Sequence, residues 1–405
     1  MGIDQPLTRR SFLSRSGLAA GAVAGVAANV SSGGVTRAAT RLTRRTPGSA
    51  LSTAAEPCFF LPSAEVEHKR TWMAWPARED VWGSLLAGAR RDIAAVAQAV
   101  ARYEPVFLIA RPDQAPGAAA ACGASVKIVE IVNDDCWMRD MGPLFLVNGT
   151  GSMIALGLNF NGWGNKQVHV NDAKVASEVA AYLGLPFVRA PFVSEGGAIE
   201  VDGVGSVLCT ESSIINPNRN PGKSKAEITR ELLEVLGASK VLWLPGLAGH
   251  DITDDHIDGL ARFVRTGLPA RVVVDQPANP HATDVWAVSE RQSLELLEHM
   301  TDSHDRTLVC LRSRESRTIP PGEKPGTFVN VYVNWYACNG AVLLPAFDDP
   351  TSDATARSLV AELYPGRDVV QLRIDTLAEG GGGIHCVTQQ EPAIGPREVY
   401  LSGLG

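Results

Sequence analysis

Short β-branched and apolar runs recur along this chain with helix-patterned segments between them, and that alternation restricts the fold more than any other feature. The runs fall at 71–75, 106–110, 126–132, 143–147, 206–210, 240–244, 270–274, 329–333, 341–344 and 369–374. Each has the length and composition of a strand. Helical periodicity is clearest at 84–102, 172–183, 224–236, 287–301 and 353–363. Ser224 followed three residues later by Glu227 predicts a capping box, and Gly237 just past the last periodic residue predicts a C-cap. Strands alternating with five such helices define an α/β protein. The helices lie on average roughly 60–70 residues apart, the spacing of a repeated strand/helix unit, although no repeated motif accompanies it. Spacing alone leaves a doubly wound sheet and a propeller both open.

The folded part is expected to begin near Cys58 and to run over 58–405. Residues 41–57 are rich in Ser, Thr, Ala and Arg without apolar periodicity, the composition of a flexible linker. Residues 1–40 open with Thr8, Arg9, Arg10, Ser11, Phe12 and Leu13, continue through a weakly apolar Gly/Ala/Val stretch, and end in small residues around Ala38 and Ala39. That order is an export signal of the twin-arginine type. A stable membrane anchor is disfavoured, because the apolar run is about 14 residues against the roughly 20 that span a bilayer. The expected location is outside the cytoplasm, or cytoplasmic if the signal is not used. Four Lys/Arg and one Asp lie in residues 1–40, leaving 33 basic and 43 acidic side chains and a formal charge of −10. Nucleic acid, which demands a basic face, is excluded as a partner, whereas a small cationic substrate suits this field. The seven cysteines are scattered, odd in number, and show no metal-ligand spacing.

Three patches carry chemistry. The first is Glu379 followed by four consecutive glycines, Ile384, His385 and Cys386. Four glycines lose much backbone freedom on folding. They fit either a surface turn or a loop that brings backbone close to a ligand and delivers a thiol, and a cysteine thiolate is an effective nucleophile beside positive charge. The second is His250–Asp258, read GHDITDDHID from Gly249. His256 and Asp258 would face one site if the segment is extended; alternatively the acids open a helix over 259–264. The third, Asn133 to Pro143 (NDDCWMRDMGP), sets carboxylates beside an indole. That pairing suits a guanidinium, which forms forked bonds to carboxylates and stacks on aromatic faces, although Asp-rich loops are commonly turns. Glu195 before Gly196 and Gly197 offers a further carboxylate.

Taken together, WMAWP (72–76), NDDCWMRDMGP (133–143), EGGAIEVDG (195–203), NPNRNP (216–221), DITDDHIDGLARFV (251–264) and EGGGGIHCVTQQEP (379–392) resemble the agmatine deiminase family, part of a guanidine-modifying superfamily that includes peptidyl-arginine deiminases. The resemblance runs from Leu61 to the end. It implies that 58–405 is a single deiminase catalytic domain, a five-bladed α/β propeller of the pentein type with pseudo-fivefold symmetry and a central site. It also implies Cys386 as nucleophile, His256 as general acid/base, Asp140 and Asp258 as carboxylates gripping the guanidinium, and Glu195 as a further ligand or as the group that orients His256. Trp137 would flank the substrate, and Gly382 and Gly383 would let backbone close over it.

The implied reaction is hydrolysis of a guanidinium such as agmatine, to N-carbamoylputrescine and ammonia, with no metal and no organic cofactor. Deimination of peptidyl or free arginine is the runner-up, and a guanidine-binding protein without catalysis is the rival from another class. The oligomeric state, monomer or homo-oligomer, stays open. Two departures stand out. The family's PAEWEPH entrance reads PSAEVEH here (62–68), and Asp255 occupies the position before His256 where the family commonly has Gly.

Overall fold

The computed structural model describes residues 59–264, 270–319 and 328–395. The expected signal, the linker and Cys58 lie outside the described residues. Among these, the strands form one four-stranded and four three-stranded sheets. A hairpin can join antiparallel strands, but a parallel neighbour needs a crossover of a dozen or more residues. The chain applies that rule in the same way each time. Leu144–Val147 pairs antiparallel with Met153–Gly157, which pairs parallel with Phe187–Arg189. The same pattern joins Glu200–Val201, Ser206–Thr210 and Lys240–Leu244. It recurs in Ala261–Val264, Arg271–Gln276 and Val309–Arg314, and in Tyr336–Cys338, Ala341–Ala346 and Asp368–Arg373. In each unit the crossover between second and third strands carries a helix: Asp172–Leu183, Lys225–Leu236, Val285–Glu298 and Pro350–Leu363.

The four-stranded sheet completes the series by joining the two ends of the described chain. Gln389–Pro392 pairs antiparallel with His68–Ala74, which is followed by the Leu86–Val100 helix and the parallel strand Val106–Ala110. A short helix, Ala115–Cys122, then leads to an added parallel strand, Val126–Glu130. The fold is therefore α/β with several mixed sheets, and the repetition lies in the topology rather than in any sequence motif.

Local chemistry accounts for the helix boundaries. Ser224 accepts from the Glu227 N–H while the Glu227 carboxylate accepts from the Ser224 N–H, the reciprocal box the sequence predicts. Gly237 closes the helix at φ +63°, a left-handed conformation that a side chain resists. Ile228, Leu232 and Leu236, four residues apart, form its buried stripe, and each contributes about 1.5–3 kcal/mol by leaving water.

Two expectations fail. Residues 259–264 do not form a helix: Ile257–Gly259 is one 3-10 turn, and Ala261–Val264 is a strand. Its four residues are all buried, so period-2 alternation cannot show. Residues 329–333 do not form a strand, although Val331, Tyr332 and Val333 are buried. The Val329 N–H donates to the Ala378 carbonyl and the Asn330 carbonyl accepts from the Ser316 N–H, so this backbone bonds to a helix and a loop instead of to a ladder.

Candidate active site

The expected site residues share a topological address. Asp140 precedes Leu144–Val147, Glu195 precedes Glu200–Val201, His256 and Asp258 precede Ala261–Val264, and Cys386 precedes Gln389–Pro392. Each lies on the chain entering the first strand of a different sheet, and all are buried. The remaining unit places Asn334 just ahead of Tyr336–Cys338. Sequence reasoning missed Asn334, because a strand assigned to 329–333 hid the approach to the true first strand.

Gly197 is the point on which three of these side chains converge. A Cβ built there would lie 2.6 Å from His256 Nδ1, 2.7 Å from Asp140 Oδ1 and 3.2 Å from Asp258 Oδ2. The Gly197 N–H donates to Asp140 Oδ1 at 3.0 Å, and the Trp163 indole N–H donates to Asp140 Oδ2 at 3.0 Å. Both carboxylate oxygens are thus oriented by donors, and His256 Nδ1 stands 3.7 Å away. His256 caps the 3-10 turn from an extended conformation, and Asp258 lies within that turn. The turn brings both to one site, as expected, without the extended segment that the sequence reading invoked.

Cys386 Sγ lies 3.4 Å from Asp258 Oδ2 and 3.4 Å from Asn334 Oδ1. Asn334 Oδ1 also accepts the His385 N–H at 3.0 Å, and its amide donates to the Asp258 carbonyl at 3.1 Å. One side chain therefore ties the cysteine loop to the Asp258 turn. His385 completes the junction, its Nδ1 lying 2.9 Å from Asp258 Oδ2. Burial, reinforced by the positive charges of Arg139 and Arg262, holds His385 well below the ordinary imidazole range despite Asp258. It is accordingly neutral, with the proton on Nδ1 assigned by the carboxylate it faces. From the opposite side, the Arg139 backbone N–H donates to the Cys386 carbonyl at 3.1 Å.

The second nitrogen of His256, Nε2, lies 3.2 Å from Glu195 Oε2. The other Glu195 oxygen accepts from Arg219 Nε at 2.8 Å. Burial alone would raise the Glu195 carboxyl, but the charge of Arg219 and the bond to His256 outweigh it and hold the group below its ordinary value. Arg219 belongs to the NPNRNP stretch, which the sequence singled out without assigning the arginine a role.

Trp137 stacks on Trp82 with ring centroids 5.8 Å apart, and Trp82 Nε1 donates to Asp135 Oδ1 at 2.8 Å. Gly382 lies against Trp137, where an added Cβ would meet the indole at 2.3 Å, and Gly383 lies against Asn334, where it would meet Oδ1 at 2.4 Å. The glycine run is therefore required by close packing within the site. Asp134 and Asp135 are committed to support: Asp134 accepts from the Asn171 backbone and side chain, and Asp135 from Trp82, Gln167 and Cys136. Of the acids in NDDCWMRDMGP, Asp140 alone reaches the group around Gly197.

Asp255 has φ +67°, a left-handed conformation in which Gly is at ease and Asp is among the tolerated residues. Its carbonyl accepts from Thr210 Oγ1 at 2.6 Å, and its side chain helps line a cavity of about 40 Å³ beside His256 with Asp251, Trp286, Ser289 and Glu290. Among the described residues, one group of three carboxylates, Asp275, Glu290 and Glu315, has oxygens within 4.8 Å of one another. It includes none of the residues around Cys386. No described helix is long and apolar enough to cross a membrane.

This architecture is that of the pentein-fold deiminases. The agmatine deiminase of Enterococcus faecalis, solved while catalysing its reaction, superposes with a TM-score of 0.76 at 26% identity, covering 83% of this chain and 96% of that one. The profile of Porphyromonas-type peptidyl-arginine deiminases matches residues 60–392, and the chain belongs to that family. A Streptomyces coelicolor protein provisionally named agmatine deiminase is 40% identical over 344 residues, 82% of this chain and 99% of its own length. The agmatine deiminase of Pseudomonas aeruginosa is 34% identical over 364 residues, 84% of this chain and 97% of its own.

Proposed function

We propose that this protein hydrolyses the guanidinium group of agmatine, giving N-carbamoylputrescine and ammonia through a covalent intermediate on Cys386. The observation that carries the reading is the meeting of a histidine and two carboxylates around Gly197, where even a methyl group would collide, with Cys386 Sγ 3.4 Å from one of those carboxylates, Asp258. The five sheets are read as blades of a pseudo-fivefold propeller, each sending one loop to a central site.

In this reading Asp140 and Asp258 accept the guanidinium N–H groups and hold its carbon against Cys386 Sγ. Asp258 beside the sulfur disfavours a thiolate until the cationic substrate arrives and offsets that charge. The thiol proton passes to His256 as sulfur attack forms a C–S bond and a tetrahedral carbon. His256 then donates a proton to one nitrogen, the C–N bond breaks, and ammonia leaves an amidino-thioether. His256 next accepts a proton from water as its oxygen bonds the same carbon. Collapse breaks the C–S bond and releases the ureido product and the thiolate. Glu195 orients His256, and Trp137 flanks the planar group.

The relatives named agmatine deiminases support agmatine, whereas the family profile's own description supports peptidyl-arginine as the second reading. A panel of agmatine, free arginine and an arginine peptide at equal concentration, assayed for ammonia and ureido product, separates them. Agmatine is expected to give the highest kcat/KM; a higher value for the peptide replaces agmatine with the second reading, and binding without ammonia release overturns both. Residues 1–40 are proposed to direct export, so cell fractionation should find the mature protein outside the cytoplasm.

A further inference from the structure

Glu195 is the near end of a buried row of alternating charges. Beyond it stands Arg219, whose side chain is wholly buried and whose donors are all engaged: Nε with Glu195 Oε1 at 2.8 Å, Nη1 with Asp254 Oδ2 at 2.7 Å, and Nη2 with the Thr253 carbonyl at 3.0 Å. Asp254 accepts in turn from Lys166 Nζ at 2.7 Å, and Lys166 is 9% exposed. The row runs Lys166, Asp254, Arg219, Glu195, each charge facing one of opposite sign, and Glu195 meets His256.

The Lys166–Asp254 end of the row depends on backbone in an unusual state. Asp254 has φ +63°. Lys166 follows a segment in which Asn159, Gly162, Trp163, Gly164 and Asn165 all have positive φ. Non-glycine residues hold that conformation only where surrounding contacts impose it. Here the segment and the residue after it make two contacts, Trp163 to Asp140 and Lys166 to Asp254.

We propose that Arg219 is a positioning residue for the reaction: clamped by Asp254 and Lys166, it fixes the Glu195 carboxylate against His256, and the left-handed 162–165 run anchors the clamp. This rests on the reading of His256 as the proton-transfer group. Glu195 and His256 then titrate as a coupled pair. The groups facing that pair are Arg219 on Glu195, Asp140 and Asp258 across Gly197, and Asp251, Asp255 and Glu290 around the cavity beside His256. His385 and Cys386 stand behind Asp258, and Arg139 packs on Gly196. Arg219 is the cation in direct contact with the pair, so removing it raises the proton affinity of both members, whichever of them holds the shared proton.

The test is the pH profile of kcat/KM for Arg219→Met and Arg219→Lys beside wild type. The acid limb is expected to move to higher pH by about one unit in Arg219→Met, a tenfold loss at a pH on the limb, and to return most of the way in Arg219→Lys. Lys166→Met, at the exposed end, should move it in the same direction by less. In the unliganded protein, the NMR titration of the His256 ring should shift upward in the same order, a readout that needs no turnover. A uniform loss of activity with unmoved limbs and an unmoved His256 titration would reduce Arg219 to a packing residue and overturn the proposal. If Arg219 variants do not fold, an unmoved limb and titration in Lys166→Met overturn it equally. Failure of the deiminase reading itself would appear as absent turnover in wild type, with the NMR shifts intact.

Discussion

Replacing Gly197 with alanine should disable the site while leaving the fold. Ordinary contact begins at 3.4 Å, and the new Cβ would lie 2.6 Å from His256 Nδ1 and 2.7 Å from Asp140 Oδ1, so each must retreat by about 0.7–0.8 Å if the backbone stays. Asp140 is held by Trp163, and His256 by Glu195. The methyl therefore separates the carboxylate from the imidazole. A misplacement of about 1 Å can lower a rate by roughly 10²-fold, equivalent to about 2.7 kcal/mol of lost transition-state stabilisation. Gly197 is not among the residues with positive φ, so alanine's backbone is admissible there. Its reduced freedom in the unfolded chain contributes about 0.4–1 kcal/mol against about 1–3 kcal/mol for overpacking. The assay is ureido product from agmatine, with urea denaturation in parallel. Gly259→Ala, whose Cβ would meet nothing within 4 Å, serves as control and should retain wild-type activity. Wild-type kcat/KM in Gly197→Ala, or an equal loss in Gly259→Ala, would refute the reasoning.

Two further outcomes follow from particular contacts. Trp163→Phe keeps an aromatic ring but removes the N–H that holds Asp140 Oδ2; a hydrogen bond to a charged group contributes about 1.5–3 kcal/mol, so kcat/KM should fall about 10- to 100-fold, and an unchanged value would show that Asp140 needs no such support. Asp92 accepts from the backbone N–H groups of Thr376 and Leu377, and burial raises its carboxyl from 3.8 to about 6. A folded value above the unfolded one means that its contribution to stability is complete below about pH 4 and is lost as pH rises through about 6. Asp92→Asn should therefore gain on the order of 1–3 kcal/mol relative to wild type between those pH values, as read by urea midpoints; a constant difference across the range would contradict the assignment.

Much of the fold could be read from local pattern. The five crossover helices and the hairpin runs around them carry their own signals, Ser224 and Glu227 most clearly. Some strands that entered unannounced are short, as in Glu200–Val201, or buried along their whole length, as in Ala261–Val264. Neither alternation nor length marks such segments. The candidate site residues stood out where a cysteine, a histidine or a carboxylate lay beside glycine or acid, as at Cys386, His256 and Glu195. Asn334 carried no such mark, because its role comes from the spatial address it shares with the other loops. Arg219 was visible in NPNRNP, yet its partners Glu195 and Asp254 are 24 and 35 residues away, so no local pattern could pair them. The acids at 134 and 135 were the reverse: conspicuous in sequence, and spent in the structure on holding Asn171, Trp82 and Gln167.

The covalent step on Cys386 is reached most directly by intact-protein mass after mixing with agmatine. In wild-type protein quenched with acid during turnover, a fraction of the chains should carry the added mass of agmatine less ammonia, and Cys386→Ala should show no such gain. Turnover of agmatine by Cys386→Ala at the wild-type rate would contradict the account.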